Sequence, residues 1–66
     1  MKIIVNGKER SLDTTMTIAN LLEDMELADK RVAVEINLEV IPRSRYPQYQ
    51  LQDNDRVEIV RAIGGG

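Results

Sequence analysis

The chain alternates between two hydrophobic periods. Ile3-Ile4-Val5 is a β-branched run, followed at once by Asn6-Gly7. Asn-Gly after such a run is a strong hairpin signal, because both residues tolerate positive φ. Lys8 to Leu12 reads as the returning strand. The period then changes. Ile18, Leu21, Leu22 and Met25 recur at i, i+3, i+4 and i+7, which is one apolar stripe of an amphipathic helix, with Glu23, Asp24 and Glu26 on the other face. Thr17 is the predicted N-cap, and Met16 with Leu21 forms the hydrophobic staple around it. The helix is predicted to run to about Leu27, before Asp29-Lys30.

Alternation by two resumes at Val32-Ala33-Val34-Glu35-Ile36, with Val32, Val34 and Ile36 on the other side from Ala33 and Glu35. Asn37-Leu38 predicts a turn and Glu39-Val40-Ile41 a short return strand that Pro42 stops. The polar stretch from Arg43 to Gln50 reads as an irregular crossover with one short helical turn. Gln52-Asp53-Asn54-Asp55 is dense in turn formers. Arg56 to Ala62 is the predicted last strand, Val57 and Ile59 facing the helix, Glu58 and Val60 facing away. The order ββ-α-ββ-crossover-β predicts an α+β roll: a mixed sheet of five strands with one main helix packed on one face, the last strand lying in the middle, parallel to the first.

Length limits the chemistry. With 66 residues the chain is one domain, and a domain this small buries only about 60% of the surface its unfolded chain exposes. One thin core fits; a deep catalytic cleft does not. The chain contains neither Cys nor His, so disulfides, thiolate nucleophiles, Ser-His-Asp chemistry and thiolate or imidazole metal sites are excluded. There is no Gly-x-x-x-x-Gly-Lys-Ser/Thr loop to hold nucleotide phosphates. The formal net charge is −2 and the basic residues form no dense run, the tightest group being Arg43 and Arg45; nucleic-acid binding asks for a basic patch. No apolar stretch nears the ~20 residues of a membrane span, and the start carries no signal-peptide pattern. The expectation is a cytoplasmic protein, monomeric when free, with no membrane or nucleic-acid partner and no bound cofactor or metal.

Candidate chemistry concentrates at the C-terminus. Three of the chain's four glycines are Gly64, Gly65 and Gly66. A tail without Cβ atoms threads a narrow channel and adopts φ values closed to other residues. Fully extended it would reach roughly 10 Å beyond the folded body. Residues 1–62 are expected to form the domain and 63–66 a flexible tail. The bland reading is a glycine-rich end that simply frays. Ile4, Ala33, Val60 and Ala62 are placed on the sheet face away from the helix, a candidate partner surface, with Arg61 and Ile63 beside the tail. Arg43 and Arg45 read as a solvated crossover, Tyr46 and Tyr49 as half-buried packing beneath it. Asp53, Asp55 and Glu58 are the one conceivable carboxylate cluster, more simply a turn before a strand.

Several of these segments together resemble a known family. Ile3-Val5-Asn6-Gly7, Thr17-Ile18 with Leu21-Leu22, Val34-Glu35-Ile36-Asn37, Val40-Ile41-Pro42-Arg43, and Leu51 to Ile59 leading to Gly65-Gly66 are similar to the sulfur carrier proteins of thiamine biosynthesis, within the ubiquitin-like β-grasp superfamily. The resemblance spans nearly the whole chain, with Gly64 as an additional terminal glycine. A Gly-Gly end also closes ubiquitin and the small subunit of molybdopterin synthase, so a carrier for another sulfur acceptor and a ubiquitin-like modifier or interaction module are the alternatives. The resemblance implies a β-grasp roll that is no enzyme but a protein co-substrate. It implies that the Gly66 carboxylate is adenylated by a ubiquitin-activating-enzyme-like adenylyltransferase consuming ATP. It further implies conversion to a thiocarboxylate with sulfur from a cysteine desulfurase system, and delivery of that sulfur to thiazole synthase.

Overall fold

The computed structural model describes residues 1–61. Ala62, Ile63 and the three glycines, which carry the predicted tail and the last residue of the predicted final strand, lie outside the described residues. Five strands and one α-helix follow the predicted order: β1 (Lys2–Val5), β2 (Lys8–Ser11), α1 (Ile18–Asp24), β3 (Val32–Ile36), β4 (Glu39–Ile41) and β5 (Arg56–Arg61), with a 3-10 turn at Arg43–Arg45. The sheet order is β2-β1-β5-β3-β4. β5 is central: parallel to β1 in the register Val5↔Val57, antiparallel to β3 from Ile36↔Val57 to Val32↔Arg61. The predicted mixed sheet, with its last strand in the middle, is the observed one.

One sheet face carries the core. Ile3 and Val5, Val34 and Ile36, and Val57 and Ile59 are buried together with Ile18, Leu21 and Leu22 of α1. Burying each such side chain contributes about 1.5–3 kcal/mol, so this one layer dominates stability.

The helix begins where its free donors find partners. Thr17 Oγ1 accepts from the Asn20 N–H at 3.1 Å, and Asn20 Oδ1 accepts from the Thr17 N–H at 3.2 Å, a capping box closed by Asn. The crossover answers the next two donors: Ile18 N–H donates to the Tyr49 carbonyl at 3.0 Å and Ala19 N–H to the Tyr46 carbonyl at 3.1 Å. This explains why a polar segment packs against the helix start. Tyr46 is consequently buried, at 6% exposure, rather than half-buried as the sequence suggested, while Tyr49 is intermediate. Arg45 lies over the Tyr49 ring, 5.7 Å from its centroid.

The helix ends at Asp24, three residues short of the predicted end at Leu27. Glu26 takes φ 61°, Leu27 N–H donates to the Leu22 carbonyl at 2.7 Å and Glu26 N–H to the Glu23 carbonyl at 3.0 Å. These are the two bonds of a Schellman motif. The stop is usually signalled by glycine; here a glutamate occupies the left-handed position, so no sequence signal marks it. Arg10 of β2 pairs with Asp24 at this end of α1.

Candidate functional site: the exit of the central strand

β5 is the last described element, with its entry at Arg56 and its exit at Arg61. Its start is held from several directions. Asp55, at 6% exposure, accepts the Gln52 N–H at 2.8 Å and the Asn37 Nδ2 at 3.0 Å. Asn37 Oδ1 accepts the Arg56 N–H at 3.0 Å, and the Asn37 N–H donates to the Arg56 carbonyl at 2.8 Å. From the other side, Ile4 N–H donates to the Asp55 carbonyl at 2.9 Å. Asp53 Oδ1 accepts the Lys2 N–H at 2.7 Å. Asp53 and Asp55 are thus engaged in fixing a turn, while Glu58 stands exposed on a strand. Among the described residues, no group of three acidic side chains is placed to hold a metal. The carboxylate-cluster reading has no structural support.

Toward its end β5 is held differently. Asn6 N–H donates to the Val57 carbonyl at 2.8 Å. The Asn6 side chain then continues the pairing: Ile59 N–H donates to Oδ1 at 2.8 Å, and Nδ2 donates to the Ile59 carbonyl at 3.2 Å. On the other side β3 accompanies β5 to Arg61. Sequence reasoning gave Asn6 a turn role only and missed this amide. No local signal marks it, because Asn-Gly is already a preferred pair for the turn alone.

The face away from the helix is open. Ala33 and Val60 are exposed and directly opposite each other; Val40, at 67% exposure, lies opposite Glu35. Glu35 and Glu58 are direct cross-strand neighbours, a like-charge pairing that disfavours the isolated sheet. Ile4 shares this face but is half-buried and opposite Arg56, about 13 Å along β5 from Val60. The predicted apolar group therefore divides: Ala33 and Val60 come together beside the chain's exit with Val40 nearby, and Ile4 stands apart. Arg61 is exposed at the end of β5; Arg43 and Arg45 are exposed on the crossover. Among the described residues, no helix is long and apolar enough to cross a membrane.

A five-stranded mixed sheet with its last strand in the middle and one helix packed on one face is a ubiquitin-like, grasp-type scaffold. Comparison with known proteins specifies it. The model of the ThiS family matches residues 3–66. The sulfur carrier protein ThiS of Bacillus subtilis is 43% identical over 63 residues, covering 94% of this chain and 96% of that protein. The crystal structure of the thiamine biosynthesis protein ThiS from Geobacter metallireducens superposes with a TM-score of 0.85 at 33% identity, covering both chains fully. Thiazole synthase of Paramagnetospirillum magneticum is 46% identical over all 66 residues, yet the chain spans only 20% of that protein's length. The chain belongs to the ThiS family of sulfur carriers of thiamine biosynthesis, and its fold is the β-grasp structure of that family. The family match selects the thiazole branch over the molybdopterin carrier and modifier alternatives.

Proposed function

We propose that the Gly66 carboxylate is the group that carries sulfur. A carboxylate oxygen attacks the α-phosphorus of ATP in a partner adenylyltransferase, releasing pyrophosphate. The terminal sulfur of a persulfide supplied by a cysteine desulfurase system then displaces AMP to give an acyl disulfide. A second thiol of the partner system cleaves its S–S bond, leaving the thiocarboxylate on Gly66 and a disulfide on the partner system. Adenylation turns a poor acyl donor into a mixed anhydride, dividing one hard step into two easier ones. ATP belongs to the partner, since this chain has no phosphate loop. Gly64 and Gly65 thread the partner's active site. The single observation that carries the reading is the family match through residue 66 on a chain with neither Cys nor His.

Thiazole synthase is the acceptor. Support comes from a thiazole synthase that contains a segment 46% identical to this whole chain. The open face at Ala33, Val40 and Val60, with Arg61, Ala62 and Ile63 and, farther along, Ile4, is the surface the adenylating partner grips. The chain acts in the cytoplasm, as a monomer when free.

The test is an intact mass after incubation with the adenylating partner, ATP and a sulfur source. The expected gain is that of one oxygen replaced by sulfur, absent from a chain extended by one residue after Gly66. Normal loading of the extended chain, without trimming, overturns the reading. Val60→Glu is expected to raise the KM for adenylation several-fold with the fold intact; unchanged kinetics would remove Val60 from the interface.

A further inference from the structure

We propose that Asn6 is a positioning residue for the tail: its side-chain amide, by bonding both the N–H and the carbonyl of Ile59, fixes the direction in which the chain leaves the sheet. The inference rests on the carrier reading of Gly66.

The geometry begins with a mismatch of strand lengths. β1 ends at Val5, whose register partner is Val57, but β5 continues to Arg61. On the β1 side the backbone of β5 beyond Val57 has no strand residue to pair with. Asn6 supplies the missing pairing from a side chain, with one donor and one acceptor at 3.2 and 2.8 Å. The amide thus imitates the peptide group that an additional strand residue would have presented. With this bond β5 is held from both sides at Ile59; without it, among the described residues, β3 alone holds the strand beyond Val57.

The residue type follows from two demands met at one position. The hairpin turn requires positive φ, and Asn6 has φ 50°; Gly, Asn and Asp satisfy that demand. The Ile59 clamp requires a donor and an acceptor on a short side chain. Glycine has neither, and an ionised aspartate has no donor. Of the three residues that suit the turn, only asparagine makes both bonds.

The consequence is for reaction geometry. Val60 and Arg61 follow the clamp directly, and the reacting carboxylate lies five residues beyond Arg61. A small angular freedom at Ile59 grows with distance along the chain, and misplacement by about 1 Å can cost up to 100-fold in rate. A partner that holds the body of the domain still needs the tail to leave in the correct direction. Loss of the clamp therefore lowers kcat while leaving the body's grip, and so KM, nearly unchanged.

The experiment compares full-length Asn6→Gly, which keeps the turn and removes the amide, with Asn37→Gly, which removes the corresponding clamp at the start of β5. Asn6→Asp, keeping the turn and the acceptor, serves in the same role if Asn6→Gly folds poorly. Each is loaded with the adenylating partner, ATP and sulfide, well below its Tm, and amide exchange is followed in the free protein. In Asn6→Gly the Ile59 amide is expected to lose protection while strand protection elsewhere persists, and kcat for loading falls about tenfold with KM within twofold. Asn37→Gly loses stability but retains wild-type kcat. An Asn6→Gly protein with an exposed Ile59 amide and wild-type kcat overturns the inference, as does an equal kcat loss in Asn37→Gly. A wild-type chain that the competent partner fails to load overturns the carrier reading, and this inference with it; a loaded wild type beside an equally fast variant overturns this inference alone.

Discussion

The turns at Asn6-Gly7 and Asn37-Leu38 repeat one design and differ in what depends on it. Each joins an antiparallel hairpin at an edge of the sheet, and each has two central residues with positive φ: 50° and 83° in the first, 52° and 72° in the second. That is the signature of a type I′ turn, whose twist matches the strands it joins. In each, the asparagine side chain reaches from a neighbouring strand's end to the backbone of β5. Asn37 holds the start, at Arg56, and its amide joins a network with Asp55 and the Gln52 N–H. Asn6 holds Ile59, near the end, with no described partner beyond that residue for its amide. Among the described residues, the entry of the central strand is held by several side chains and turns, whereas on the β1 side its exit, which β3 borders on the other side, is held by one side chain. On the function proposed above the tail must stay accessible, so an exit wrapped in turns and crossovers like the entry would hinder it; a side-chain clamp avoids that.

The largest effect expected from this contrast is at the entry. Asp55→Ala leaves the Gln52 N–H and the Asn37 amide without their acceptor in a buried site, and should destabilise by about 2–3 kcal/mol. Urea denaturation measures it. A loss under about 0.5 kcal/mol would mean that water replaces the carboxylate and that the entry is no better held than the exit. Asn6→Gly and Asn37→Gly come next, each at about 1–2 kcal/mol for two lost hydrogen bonds. Stability ranks the two turns together; only the loading rate separates them.

The architecture was readable because its signals were local and periodic. Strand alternation, the Ile18-Leu21-Leu22-Met25 stripe, the Asn6-Gly7 turn and the Pro42 stop each rest on a few consecutive residues. What escaped were features that join distant segments. Nothing near Asn6 indicates that its amide meets Ile59, 53 residues away, and nothing near Tyr46 indicates that the helix start draws the crossover down and buries it. The end of α1 escaped for the opposite reason, since Glu26 stands where glycine would have announced the stop. Of the candidate site, Gly64, Gly65 and Gly66 stand out by composition. Composition alone weighs a reacting tail no higher than a frayed end; the family resemblance is what favours the first, and their role is the one proposed above. The open face at the end of β5 was half legible, because strand alternation places Val60 and Ala33 on one face but does not reveal that Ile4 sits at its far end.

The smallest effect concerns the second residue of each turn. Gly7 adopts φ 83° with nothing within 4 Å of the position a Cβ would take, whereas Leu38 adopts φ 72° with 87% of its surface exposed. An L-residue in the left-handed region costs about 1–2 kcal/mol, partly offset because glycine loses more backbone entropy on folding, by roughly 0.5–1 kcal/mol. Leu38→Gly should therefore stabilise by about 0.5–1 kcal/mol, and Gly7→Leu should destabilise by about the same amount, for the strain alone. The turns lie in separate hairpins and share no partner, so the double exchange should nearly restore wild-type stability. Chemical denaturation of the three variants tests this. If Leu38→Gly fails to stabilise, the two turns do not share one backbone geometry. If it stabilises and also raises the KM for loading or for sulfur transfer, the exposed leucine is retained, against backbone strain, because a partner contacts it. That outcome would place a contact at the opposite end of the sheet from the exit, and would extend the functional surface across the whole open face.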